Sequence, residues 1–394
     1  MNVPGEVRVG IIGVGNIGSA HAAAVAEGKV EGMKLCALCD TDPGRAAKLR
    51  CDYPGIPVYE SDVELLHSGK VDAVVIATPH YDHPRIATAA FEAGLHVLTE
   101  KPGAVYCAAL AETIDAARKS GRVFGVMFNQ RTDRLFAQAK AWMDAGELGG
   151  LKRVMWIITN WYRKQEYYDS GAWRATWSGE GGGVLMNQAP HNLDLWQWIC
   201  GMPSHVRAEC AVGKFHRIEV EDEATLFARY ENGATGVFIA STGDDPGTNR
   251  LEITGTRGKM VLENGKLTLW RLRYDEREFC FMQGEKKNPA EVTEIVDEPY
   301  NGHVRILQNF TNAIRFGERL IAPGEDAMNE LEIANAAYLS AWKGCEVAVP
   351  VEPEEYRQAL WQKVAANKGK AGATQGGGTD AGEAEYRSRW TTNW

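Results

Sequence analysis

A chain of 394 residues has room for two or three domains, and its 44% hydrophobic content is ordinary for a folded globular protein. A net charge of −9 argues against nucleic acid and against an anionic membrane surface as partners. No apolar run approaches the roughly 18 residues that span a bilayer, and no basic cluster leads into an apolar run at the start, so neither a membrane span nor a signal peptide is expected.

Val7, Val9 and Ile11, with Ile12 behind them, have the pattern of a strand covered on both faces. Gly13, Gly15 and Gly18 then fall as G-x-G-x-x-G ahead of a helix over 16–27. Gly13 allows a tight turn, Gly15 lets backbone approach a pyrophosphate, and Gly18 lets the helix pack on the strand. Backbone N–H groups at Gly15, Asn16 and Ile17 are placed to hold the phosphates at the helix start. A second run, Met33–Cys39, ends in Asp40, about twenty residues past the last glycine, where this fold puts its ribose-binding acid. Thr41 and Asp42, not Asp40, read as the caps of the next helix. Asp40 repels a 2′-phosphate, and the nearest arginine, Arg45, lies one helical turn on, so NAD is expected in preference to NADP. Cys36-x-x-Cys39 has zinc-like spacing, but no second pair exists and the segment reads as strand, so no metal is expected. The eight cysteines are scattered, mostly inside hydrophobic runs, which suits reduced, buried thiols in a cytoplasmic protein.

Short helices are expected over 43–50 and 60–67, then a buried strand over 71–77 that breaks at Thr78-Pro79. Ligands bind at the carboxyl ends of strands in such sheets, so Thr78 and Pro79 are candidates to line the nicotinamide ribose. The helix over 82–93 carries His83 in its first turn, facing either the cofactor or solvent. The strand over 95–98 leads to Glu100-Lys101-Pro102, again at a carboxyl end, and both charged residues are cofactor-side candidates. A cationic nicotinamide and partial burial both disfavour an ammonium, which suits Lys101 to general-base work. A helix over 104–120 and a strand over 123–128 complete a doubly wound α/β domain, residues 1–128. Asn129-Gln130-Arg131 opens the next helix at the joint between domains, with Asn129 the last cofactor-side candidate.

The chain resembles the glucose–fructose oxidoreductase / inositol dehydrogenase / MocA family of nicotinamide-dependent enzymes. The matching segments are Gly13–Gly18, Ala77-Thr78-Pro79 with His83, Gly94–Val97 leading to Glu100-Lys101-Pro102, and Gly181-Gly182-Gly183 with His191 and Asp194. The resemblance implies an N-terminal Rossmann domain followed by a C-terminal α/β domain with an open, mainly antiparallel sheet, over 129–365. It also implies NAD held by the first domain, a sugar or polyol held between the two, His191 as the active-site histidine, and a homo-dimer or homo-tetramer joined through the open sheet face.

In the second domain a strand over 152–161 runs into a stretch dense in aromatics, arginine and glycine, Tyr162–Trp177. Tyr162, Arg163, Trp173 and Arg174 suit a carbohydrate pocket, in which rings stack on C–H faces and guanidinium groups meet hydroxyls. A subunit interface enriches the same residue types. On a continuous helix Asn187, His191 and Asp194 share one face; Pro190 instead marks either a kink or a first turn with Asn187 just before it. Asn187 and Asp194 are candidates for holding substrate hydroxyls. Many relatives carry aspartate where Asn187 stands, and an amide cannot take a proton. The acid–base work therefore falls to Lys101 and His191. An antiparallel meander is expected from Ser204 to Trp270, with an irregular charged stretch over 274–298. Helices over 303–316 and 327–342 pack back on the joint, and a glycine-rich tail over 366–394 ends in aromatics.

The expected activity is NAD-dependent oxidation of a secondary alcohol of a sugar, glycoside or inositol, at C3 by resemblance. A redox-neutral NAD-dependent glycosidase and a non-catalytic NAD(H)-binding regulatory subunit remain as alternatives.

Overall fold

A computed structural model describes residues 5–367, so the glycine-rich stretch from 368 and its aromatic end lie outside the described residues. The first half alternates strand and helix: β1 (Val7–Ile12), α1 (Asn16–Ala26), β2 (Met33–Cys39), α2 (Pro43–Asp52), β3 (Val58–Tyr59), α3 (Asp62–Leu66), β4 (Ala73–Ile76), α4 (Asp82–Glu92), β5 (His96–Thr99), α5 (Cys107–Ser120) and β6 (Phe124–Val126). The strands form one parallel sheet in the order β3-β2-β1-β4-β5-β6. The order reverses between β1 and β4, so the two chains diverging from that point leave a crevice at their carboxyl ends. Val9, Ile11, Val74, Val75 and Val97 are fully buried, as strands covered on both faces require. Cys36 and Cys39 both lie on β2, three residues apart, and so point to opposite faces of it.

A 3₁₀ turn (Asn129–Thr132) leads into α6 (Arg134–Asp144). Then follow β7 (Leu151–Ile158), α7 (Gln165–Asp169), α8 (Pro190–Cys200), β8 (His205–Val212), β9 (Glu221–Arg229), β10 (Thr235–Ser241), β11 (Asn249–Gly255), β12 (Gly258–Glu263), β13 (Lys266–Leu272), α9 (Glu276–Phe279) and β14 (Ala290–Val296). The chain closes with α10 (Gly302–Phe316), α11 (Ala327–Lys343), β15 (Val347–Ala348) and α12 (Pro353–Asn367). The second sheet has nine strands, β14-β13-β12-β11-β7-β10-β9-β8-β15, antiparallel except where β10 meets β7. Alternation in β9 puts Ala224, Leu226 and Ala228 inward and Thr225, Phe227 and Arg229 outward.

Three elements depart from expectation. The charged stretch over 274–298 contains α9 and β14; β14 pairs with β13 along one edge only and is exposed over almost its whole length, so no buried alternation marked it. Helix α12 buries only Tyr356, Leu360 and Val364, a narrow stripe in an otherwise charged segment, and it extends two residues past the boundary expected at 365.

Candidate active site

The crevice begins at Gly13, whose φ of +85° disfavours a side chain and where an added Cβ would come within 2.7 Å of the Ala77–Thr78 backbone. Helix α1 follows with Gly15 as its N-cap and no side chain capping its first N–H groups, while a Cβ on Gly15 meets nothing within 4 Å. Uncapped donors facing open space are what a pyrophosphate requires. Asp40, at the end of β2, accepts from Val14 N–H at 2.9 Å and from Asp42 N–H at 2.9 Å, and the Arg45 Nε lies 3.1 Å from its Oδ2. Oδ1 keeps a lone pair for a ribose hydroxyl. Further in, Thr78 Oγ1, Asn129 Oδ1 and His191 Nδ1 are buried without a hydrogen-bond partner among the described residues. Buried polar atoms left unpaired cost stability, and a polar ligand in this crevice would satisfy them.

Lys101 follows β5, and its Nζ donates to the backbone carbonyl of Asn187 at 2.7 Å. Burial pulls its pKa down from the usual lysine value; Glu100, Glu180 and Glu330 push it back up, and Arg163 pulls it down further. His191, in the first turn of α8, is held well below the usual histidine value by burial and then by the Lys101 charge, so its imidazole is neutral at neutral pH. Phe128 packs edge-on against it at 6.3 Å. Glu100 is buried, and His21 Nε2 meets its Oε1 at 2.8 Å. The hydrogen bond and charge of His21 overcome burial and bring the Glu100 pKa down to about 2, so it is an anion. A neutral amine within reach of a substrate hydroxyl can take its proton, and a neutral imidazole can take or share it.

Pro190 is the first residue of α8, so Asn187 sits in the turn before it and not on a shared helical face. Asn187 Nδ2 donates to Glu180 Oε1 and, at 3.2 Å, to the Tyr167 hydroxyl. Arg174 packs between the rings of Trp173 and Tyr167, 4.6 and 4.7 Å from their centroids, and donates to the Tyr167 hydroxyl at 2.9 Å. Arg163 lies 5.0 Å from the same tyrosine ring. Arg163, Trp173, Arg174 and Asn187 are thus brought together beside Lys101.

Three expectations change. Asp194 is not a ligand for substrate hydroxyls: its two oxygens are taken by Arg131, at 2.8 and 2.6 Å, and by Gln197 at 3.0 Å, and it is wholly buried. His83 does not face solvent, and both its ring nitrogens lie against backbone carbonyls. Its Nδ1 meets the Pro102 carbonyl at 2.8 Å and its Nε2 the Thr78 carbonyl at 2.7 Å, so it ties the two strand-end loops together. Tyr162 is 42% exposed, while the residues of the cluster are half-buried or buried. The sequence reading also missed Glu180, Tyr167 and His80; His80 Nδ1 bonds the Glu180 carbonyl at 2.9 Å. Glycine density around Glu180 hid it, since nothing in local spacing marks a buried acid in a loop.

Residues 7–128 match the oxidoreductase family with NAD-binding Rossmann fold, and residues 136–261 match the GFO/IDH/MocA C-terminal domain. The chain belongs to the Gfo/Idh/MocA family. It is 26% identical to scyllo-inositol 2-dehydrogenase (NAD(+)) of Bacillus subtilis, over 88% of this chain and 97% of that one. It is 24% identical to myo-inositol 2-dehydrogenase of Thermotoga maritima, over 84% and 95%. Among solved structures it is similar to the WlbA dehydrogenase of Bordetella pertussis in complex with NADH and UDP-GlcNAcA, with a TM-score of 0.74, 26% identity, and coverage of 88% and 100%.

As a Gfo/Idh/MocA oxidoreductase with an NAD-binding Rossmann fold, the protein takes NAD as its cofactor. Replacing Asp40 with serine is expected to raise the KM for NAD about ten- to a hundredfold and to narrow the preference over NADP, since a hydrogen bond to a charged group contributes about 1.5–3 kcal/mol. Initial rates with each cofactor check this, and an unchanged NAD/NADP ratio would refute it.

The family's glycine loop is anchored from behind. Glu221 accepts from Gly183 N–H and Leu185 N–H, each at 3.0 Å, and from the Tyr338 hydroxyl at 2.7 Å. Burial nonetheless raises its pKa from 4.5 to about 7. The folded protein therefore keeps a proton that the unfolded chain loses, and this contribution to stability falls as pH rises from about 4.5 to about 7, then levels off. Glu221→Gln, neutral throughout, is expected to flatten that part of the stability–pH curve. Urea midpoints across the window test it; parallel curves for the two proteins would exclude a buried, protonated Glu221.

Proposed function

We propose that this enzyme oxidises a secondary alcohol of a sugar, glycoside or inositol, at C3 where the substrate is a sugar. In this reading residues 1–128 hold NAD and residues 129–365 hold the substrate. The observation that carries it is a half-buried amine, Lys101, held by the Asn187 carbonyl at the carboxyl edge of the first sheet, with a buried neutral imidazole, His191, close enough to feel its charge. When bound, nicotinamide supplies the hydride acceptor. Lys101 or His191 takes the hydroxyl proton, and the other positions the oxygen. Asn187, an amide, orients the substrate and carries no proton. Rings and guanidinium groups at Trp173, Arg174 and Arg163 suit a polyol, and relatives named for inositols support that class.

An absorbance screen at the NADH band over sugars, glycosides and inositols tests the reading. Net NADH release on a polyol is the expected result. Glycoside cleavage without net NADH would favour the redox-neutral glycosidase, and NAD binding with no turnover would favour a regulatory subunit.

We also assign the outer face of the second sheet to a homo-oligomer contact. Phe227 is 43% exposed there and lies next to Val237, which pairs in turn with Met155. Of the described cysteines only Cys39 and Cys107 are buried, against the expectation of buried thiols; Cys36, Cys51, Cys200, Cys210, Cys280 and Cys345 are half-buried or exposed, and as free thiols they suit the reducing cytoplasm.

A further inference from the structure

Glu180 is a loop residue whose carboxyl is wholly enclosed. Its Oε2 accepts from Ala175 N–H at 2.6 Å, and its Oε1 accepts from Asn187 Nδ2 and lies 3.8 Å from Arg174 Nη1. A carboxylate only accepts hydrogen bonds, so the Asn187 amide must present its nitrogen to Glu180 and turn its oxygen the other way. No donor among the described residues reaches Asn187 Oδ1, and Asn187 is only partly buried.

The Tyr167 hydroxyl is constrained in the complementary sense. Arg174 Nη1 donates to it at 2.9 Å, Asn187 Nδ2 at 3.2 Å and Gln188 Nε2 at 3.4 Å. A phenol oxygen has two lone pairs and one proton. Three donors converge on the lone pairs, and no acceptor among the described residues takes the proton. Asn187 is therefore left with an acceptor to offer and Tyr167 with a donor. The two groups adjoin each other, beside the carbonyl that holds Lys101.

We propose that Glu180 is a positioning residue that orients Asn187 Oδ1 and the Tyr167 O–H as an acceptor–donor pair for two neighbouring hydroxyls of the substrate. The first hydroxyl donates a hydrogen bond to Asn187 Oδ1 and the second accepts one from the Tyr167 O–H, so the pair selects a vicinal diol. The inference rests on the polyol reading and names the substrate feature that this side of the site recognises. A site built to bond a hydroxyl discriminates strongly against the analogue that lacks it, because its own polar groups are then left unpaired.

The test uses the full-length enzyme with NAD and either myo-inositol or D-glucose, whichever gives the higher kcat/KM, together with the monodeoxy analogues of that compound. Tyr167→Phe is expected to raise KM for the parent about tenfold with kcat little changed, and to lose nothing more on the analogue lacking the matching hydroxyl. Glu180→Gln is expected to reproduce that pattern, now centred on the hydroxyl facing Asn187, while NAD affinity measured by NADH fluorescence stays the same. Should Glu180→Gln fail to fold, Tyr167→Phe decides the matter alone. A uniform loss across the parent and every deoxy analogue overturns the pair and leaves the polyol reading standing. Failure of the wild-type enzyme to reduce NAD with either compound removes both.

Discussion

Lys101→Ala lowers the turnover of NAD-linked polyol oxidation by about 10²- to 10⁴-fold, the usual contribution of a positioned general acid or base. Its amine is fixed by the Asn187 carbonyl at 2.7 Å and feels the charges of Glu100, Glu180 and Glu330, with Arg163 opposing them. His80, His191 and His303 also feel its charge. Burial dominates and moves its pKa below the ordinary 10.5. A base works in its neutral form, so the acidic limb of kcat against pH lies below the usual lysine range. Activity falls as pH drops through that limb, because the ammonium has no lone pair to receive the hydroxyl proton. The alanine variant loses the limb along with the rate. Steady-state NADH production across pH, with NAD affinity measured separately, checks both parts. His191→Ala provides the comparison: if it abolishes the limb and Lys101→Ala retains it, the base is the imidazole. Near-full turnover in both variants would remove the acid–base assignment altogether.

Arg131→Ala and Asp194→Ala each destabilise the protein by about 3–5 kcal/mol, the usual cost of stranding one partner of a buried ion pair. The guanidinium grips Asp194 with two parallel hydrogen bonds, reaches Asp326 Oδ2 at 2.6 Å and the Ile321 carbonyl at 3.1 Å, and lies over Phe128 and Trp198 at 5.4 and 5.3 Å. It thereby joins the 3₁₀ turn after the first sheet to α8, which carries His191, and to the residues leading into α11. Urea denaturation should show the midpoint falling with an unchanged slope, the sign of lost stability without a change in surface exposed. The double variant Arg131→Met/Asp194→Leu should recover part of the loss, since it removes both wholly buried charges and leaves only Asp326, whose carboxylate is about one-third exposed to water, without its partner. A raised KM for substrate with full stability in Asp194→Ala would instead return Asp194 to the substrate site.

Asp194 shows where reading by residue spacing fails. Its place one turn from His191 suggests a shared face toward the cleft, yet Arg131, 63 residues earlier, claims its oxygens. His83 fails in the same way: its position in a first turn says nothing of the two carbonyls that enclose it. By contrast, the place of Lys101 just past the carboxyl end of β5 was legible, because the strand pattern ahead of it is unambiguous.

The linear order of residues by itself determined the nucleotide-binding half. Gly13, Gly15, Gly18 and Asp40 act through turn geometry and close backbone approach within a single strand–helix–strand unit, so their spacing alone specifies the crevice. Only the tertiary structure decided the cluster around Lys101. Lys101 meets Asn187 across 86 residues, and Asn187 meets Tyr167 across 20 through a loop with no period. Contacts of that kind depend on how separate elements pack and on which buried polar group finds which partner, and no local pattern encodes that choice.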